Sequence, residues 1–192
     1  MKFDEKSTSM PQIKYIMKLK SYFSILLVVI LFSTSCKKED VIIYEAGNQE
    51  FGWATGTKSC EDWEASGYWQ YHQSDSTLVG VTFATYTSYG AERESFSLNE
   101  IPLSVGTYPI GGSSSDIGDG LVGGSYGMSG DDGDTHLGSL KVNEDKNGCI
   151  TVSEIDMSTK TIKGSFQVFF ISDSGGLKVE IKNGEFEVRL YE

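Results

Sequence analysis

From about Glu50 onward, apolar and polar residues alternate with a period of two. No stretch after residue 36 sustains the i, i+3, i+4, i+7 recurrence of an amphipathic helix. Val79, Val81 and Phe83 fall on one side of the run 77–88. Over 160–171, Ile162, Gly164, Phe166, Val168 and Phe170 alternate with Thr161, Lys163, Ser165 and Gln167. The pattern predicts strands near 51–55, 63–72, 77–88, 94–100, 107–110, 137–143, 148–155, 160–171, 177–182 and 185–191. Turns are expected at Asp145-Lys146-Asn147-Gly148, Asp156–Thr159 and Ser172–Gly176. Asn183-Gly184 is the strongest two-residue hairpin signal in the chain, and a turn there sets Ile181 against Phe186 and Val179 against Val188. The competing reading is one longer strand with a bulge at Gly184. About ten short antiparallel strands imply an all-β fold, a single β-sandwich or a partly closed barrel.

Residues 111–135 break the alternation with nine glycines and five aspartates, and are read as a long mobile excursion with one weak strand near 121–128. Before the β region, Phe23–Phe32 is an apolar run of about ten residues, roughly 15 Å as a helix and half a bilayer core. Lys18 and Lys20 precede it, with Met17 a candidate true start. Ser33-Thr34-Ser35 and then Cys36 follow. This is the layout of an exported lipoprotein, with residues 1–35 a signal peptide, Cys36 the acylated first residue and 36–49 a tether. The 157 residues left suit one domain. Removing the leader's five lysines and two acids takes the net charge from −11 to −14. Such a polyanion repels nucleic acid, so the expected partners are the membrane, through the lipid, and an external glycan or protein. With Cys36 acylated, Cys60 and Cys149 remain as a candidate disulfide in an oxidising compartment.

Catalytic chemistry finds little support. Gly123-Gly124-Ser125-Tyr126-Gly127 matches the G-x-S-x-G of hydrolase nucleophile elbows, but no helix follows and the only later histidine is His136. Asp131, Asp132 and Asp134 are weak candidates for calcium, lacking the further glutamate of an EF-hand loop. His72 and His136 have no zinc-site spacing. No cofactor is expected. Trp53, Trp63, Tyr68, Trp69 and Tyr71 are candidate binding aromatics, although Trp63, Trp69 and Tyr71 share one parity and equally suit a core.

Gly148-Cys149-Ile150-Thr151-Val152, Ile162-Lys163-Gly164-Ser165-Phe166 and Val179 through Phe186 resemble the closing segments of a domain of unknown function found in small lipoproteins of Bacteroidota. Trp53-Ala54-Thr55-Gly56 and Gly106-Thr107-Tyr108 are loosely similar too. The resemblance implies an all-β, membrane-tethered domain and transfers no catalytic residue. Lys37-Lys38-Glu39-Asp40 resembles the signals that send lipoproteins of that phylum to the cell surface. The expectation is an outer-membrane lipoprotein with a candidate cell-surface address, acting as a non-catalytic binding module for a glycan, protein or small apolar ligand. The alternatives are a structural accessory of an envelope complex, or a hydrolase with a dispersed site that includes Glu61 and Asp62.

Overall fold

A computed structural model describes residues 51–113, 120–130 and 135–191. Cys36, the segments expected to be a signal peptide and a tether, and Asp131, Asp132 and Asp134 lie outside the described residues.

Ten strands form the domain: β1 (Gly52–Lys58), β2 (Glu61–Tyr71), β3 (Leu78–Tyr86), β4 (Glu92–Pro102), β5 (Gly106–Ser113), β6 (Val122–Ser129), β7 (His136–Val142), β8 (Gly148–Asp156), β9 (Thr161–Ile171) and β10 (Lys178–Leu190). Pairing runs β10-β2-β3-β4-β6-β5-β8-β9 and returns to β10, so the hydrogen bonding is ring-like. β1 also bridges β10 and β2, and β7 bridges β6 and β9. The ring is thinnest at two short parallel seams. Arg189 and Leu190 meet Tyr68 and Trp69 at one; Ile110 and Ser113 meet Val122 and Gly124 at the other. The architecture thus has both sandwich and barrel character.

The alternation read from the sequence holds where it is cleanest. Val79, Val81, Phe83, Ile162, Phe166, Val168 and Phe170 all point into the core. The two halves of the ring touch there: Phe83 of β3 stacks on Phe166 of β9 at 5.1 Å, and Phe96 of β4 meets Phe166 at 5.5 Å. Glycines make room for these rings. Phe166 lies across from Gly184, Phe186 across from Gly164 and Phe83 across from Gly67. In each case a Cβ on the glycine would sit within 3 Å of the facing ring.

That packing overturns the predicted hairpin. Asn183-Gly184 lies inside the single strand β10, where the register with β9 slips between Ile181 and Gly184. Asn183 takes a φ of 52°, but Gly184 does not join it in the left-handed region, as a type I′ turn would require. The extra residue is a bulge. It switches the inward set from Val179 and Ile181 to Phe186 and Val188, as the competing reading anticipated.

A second correction concerns 111–135. The strand expected near 121–128 is present as β6, but it pairs with β4, β5 and β7 and so is central to the sheet rather than part of an excursion; 114–119 and 131–134 lie outside the described residues. One of the glycines of β6 serves packing: a Cβ on Gly124 would meet Val142 at 2.9 Å and Leu98 at 3.2 Å.

The expected disulfide is absent. Cys60 is exposed at the β1–β2 turn, where it and Ser59 have φ of 69° and 53°. Cys149 is half-buried in β8, between Pro109 of β5 and Gln167 of β9. β8 borders neither β1 nor β2, whereas a bridge needs Cα atoms within about 7 Å. Thiol titration of a domain spanning residues 45–192, purified without reductant, is expected to count two sulfhydryls. Cys60 should react at once and Cys149 slowly, and reductant should leave Tm unchanged.

Candidate functional site

The candidate aromatics divide by burial. Trp69 is 0% exposed and its Nε1 donates to the Lys160 carbonyl at 2.9 Å; Trp63 is 6% exposed. Both are core residues, which removes them from any recognition surface. Trp53 and Tyr71 are each 39% exposed, and Tyr68 is half-buried. Tyr68 is occupied by the two ends of the described domain, with Phe51 at 5.6 Å and Tyr191 at 5.0 Å. Tyr71 shares the inward parity of Trp69 but sits on the last residue of β2, where its ring meets Trp69 edge-on at 5.1 Å.

Ser125 of the G-x-S-x-G pattern lies mid-strand in β6, opposite Ser97 and Lys141, so it has no elbow. His136 Nε2 faces the Ser139 hydroxyl at 3.2 Å. Glu61 and Asp62 are both exposed. No group of three metal-ligating side chains occurs among the described residues.

Two polar constellations remain. The first faces inward at one end of the core. Lys58 of β1 lies on the same side as Ala54, and Glu94 of β4 on the same side as Phe96 and Leu98. The Glu94 carboxylate accepts from Trp63 Nε1 at 2.9 Å, from the Tyr126 hydroxyl and from Lys58 Nζ. Lys58 also reaches the Tyr126 oxygen at 3.1 Å. Burial by itself would raise the Glu94 pKa, but the Lys58 charge and the three donors outweigh it and hold the carboxyl below its ordinary value. Burial, joined by the Glu94 charge, pushes the Tyr126 phenol up. Each member has a partner, so the cluster closes the core with nothing left over for a ligand.

The second constellation lies on the outer face of β2, β3 and β4. Because Val79, Val81 and Phe83 point inward, Gly80, Thr82 and Ala84 point outward. Their neighbours in register are Gln70, Tyr68 and Ser66 on β2, and Asn99, Ser97 and Ser95 on β4. A floor of small side chains results, with Thr82 and Ser97 hydroxyls joined at 2.9 Å. Trp53 borders the row that contains Ser66 and Ala84.

At the other end of this face is a groove of about 330 Å³, lined by residues 70–74 and, across the strands, Gly80 and Asn99. Its wall is built locally. Asp75 Oδ1 accepts from Thr77 Oγ1 at 2.7 Å and Thr77 N at 2.8 Å, and these bonds lower the Asp75 pKa. The turn closes with His72 N donating to the Leu78 carbonyl at 2.9 Å. A bulge shapes the far side: the β3–β4 register slips so that Gly80 faces both Asn99 and Glu100. A Cβ on Gly80 would lie 2.8 Å from Asn99 Oδ1. His72 has its Nδ1 against the Ser74 hydroxyl at 3.1 Å, while its Nε2 is 3.8 Å from Glu100 Oε1. That gap exceeds hydrogen-bonding range. Among the described residues, Ser66 Oγ and Glu100 Oε1 are buried side-chain oxygens without a hydrogen-bond partner; Glu100 lies at the bulge near the groove, and Ser66 at the opposite end of the β2–β3 ladder.

Of the sequence-derived binding residues, the groove gathers only Tyr71. The aromatics drew attention to β2 but not to Gln70 or Asn99, which also line the groove. One signal for the bulge was present: Leu98 and Ile101 are three apart, which breaks the period of two. A scan of family models, a search of curated proteins and a search of solved structures each found no match.

Proposed function

We propose that this chain is a lipid-anchored, non-catalytic β module of the cell envelope, tethered through Cys36, that binds a glycan on the outer face of β2, β3 and β4. The observation that carries this reading is the groove around Gly80. Two carboxamides, Gln70 and Asn99, flank a position without a side chain, and the partly exposed Tyr71 ring stands beside them. Sugar hydroxyls both donate and accept, as carboxamides do, and an exposed aromatic ring offers an apolar face for the sugar's C–H groups. The core is filled by phenylalanine rings in contact, which favours binding outside the sheet over carriage of an apolar ligand within it. The tether is supported by the sequence pattern ending at Cys36, and the address by the resemblance to small Bacteroidota lipoproteins.

Two measurements test this. Mass spectrometry of the mature protein is expected to find an acylated Cys36 at the N-terminus. The 45–192 domain is expected to retain polysaccharides on a glycan array. An array with no binder, alongside a pull-down that captures a protein, would replace the glycan with a protein partner.

A further inference from the structure

The end of the chain runs beside the groove. β10 pairs parallel with β2, Arg189 facing Tyr68 and Leu190 facing Trp69, and Tyr191 N then donates to the Trp69 carbonyl at 2.8 Å. That bond sets Tyr191 alongside Gln70, on the side of β2 away from Gly80. One row across the sheet therefore runs from Tyr191 through Gln70 and Gly80 to Asn99. Three interstrand steps of about 4.8 Å make the row roughly 14 Å long, more than one sugar ring spans. Tyr191 is 46% exposed, yet its ring is held by two others. It stacks on Phe51 at 6.3 Å with 5° between the planes, and it meets Tyr68 at 5.0 Å. A braced ring that stays open to water is an apolar surface the fold leaves uncovered, and it loses little freedom on binding.

We infer that the groove and the Tyr191 ring are adjoining subsites for an uncharged polysaccharide, whose chain crosses the strands with one sugar at Gly80 and the next over Tyr191. The assignment rests on the glycan reading above and adds the ligand class and the direction in which the chain runs. Gln70 stands between the two subsites with its side chain exposed. Its carboxamide donates and accepts, as the hydroxyls of either sugar require. Gly80 keeps the floor of the groove open, since a Cβ there would lie 2.8 Å from Asn99 Oδ1. Tyr191 offers its ring to the C–H face of the second sugar. An acidic polysaccharide is the poorer match, because the chain's net charge of −11 repels it.

The test uses the full lipid-anchored chain in phosphatidylcholine vesicles and the soluble 45–192 domain side by side. The probes are the polysaccharide retained on the array and its hydrolysis fragments of one to six rings. Longer fragments are titrated calorimetrically, and the single ring is followed by ligand-observed NMR. Tyr191→Ala is expected to weaken fragments of two or more rings by about three- to tenfold, the loss of one aromatic contact, and to leave the single ring unchanged. Tyr191→Trp should restore the lost affinity. Tm should fall by no more than about 3 °C in Tyr191→Ala, so that a lost ring is told apart from a lost fold. Gly80→Ala, which shifts the Asn99 carboxamide, should weaken every fragment, the single ring included. Unchanged multi-ring affinity in Tyr191→Ala, or equal losses for one ring and for several, overturns the second subsite while the glycan reading stands. An acidic polysaccharide as the best binder on the array overturns the uncharged class. Adsorption of the 45–192 domain to phosphatidylcholine vesicles that Tyr191→Ala abolishes would assign the ring to the membrane interface instead. An array without a binder removes the glycan reading and both subsites with it.

Discussion

Phe166→Ala is expected to destabilise the domain by about 4 kcal/mol and to lower Tm by roughly 10 °C, the largest effect of any single truncation proposed for this chain. Phe166 is the point where the two halves of the ring meet. Its side chain touches the rings of Phe83, Phe96, Trp63 and Phe186, at centroid distances of 5.1, 5.5, 6.2 and 6.2 Å. It also lies on Gly184, whose missing side chain leaves the space the ring fills. Removing the ring therefore opens a cavity bordered by a glycine. Gly184 has no side chain to extend into it, which limits relaxation on that side and keeps the cost near the upper part of the usual range. Phe166→Leu, which preserves most of the volume, should cost less than about 1.5 kcal/mol. Urea unfolding of both variants checks the contrast. Equal losses would mean that the interior repacks freely and that the glycine–aromatic pairs do not fix its shape.

The same pairs explain how far the strand pattern could be read from sequence. Alternation located the strands because one side of each is buried, and the period of two records that directly in β3 and β9. It could not reveal what a glycine was for. Gly184 and Gly124 carry the composition of a turn and of a loop, yet both stand in strands where a neighbouring side chain occupies their space. Glycine has no side chain to show whether it was selected for φ or for close approach, so Asn183-Gly184 suggested a hairpin and 111–135 an excursion. Cysteine parity failed for a related reason. An even count is compatible with pairing, but only topology decides whether two thiols are adjacent, and β8 lies away from the β1–β2 turn.

The candidate site was legible only in part. Tyr71 was found by residue type. Glu100, beside the groove rather than in its lining, depends on a bulge that brings a carboxylate toward a histidine 28 positions earlier, across the β3 strand. No local motif encodes such a meeting. The broken spacing from Leu98 to Ile101 marks the bulge but not its purpose. The inward cluster at Glu94 was equally hidden, since Lys58, Trp63, Glu94 and Tyr126 come from four strands. The hint lay in parity: Lys58 and Glu94 are charged residues at positions where their strands otherwise carry apolar, inward side chains.

That cluster yields the second large effect. Glu94→Ala is expected to cost about 3 kcal/mol, because it leaves Lys58 Nζ, the Tyr126 hydroxyl and Trp63 Nε1 without their shared acceptor at the edge of the core. The side chains of Lys58 and Glu94 are 26% and 14% exposed, so water reaches the site and the loss stays below that of a fully buried pair. Replacing both, as Lys58→Met with Glu94→Leu, should recover most of the stability, since breaking such a pair is worse than removing it. The pH dependence has a definite sign. Glu94 is held below the ordinary glutamate value of 4.5 in the folded state, so the native protein binds its proton less readily than the unfolded chain does. Its contribution is complete above pH 4.5 and is lost as the pH falls through the lower, folded-state value. Denaturant unfolding between pH 7 and 3 is therefore expected to show an acid-side loss in the wild type that is smaller in Glu94→Gln. Parallel profiles for the two proteins would mean that Glu94 is not the carboxylate whose protonation loosens this end of the core.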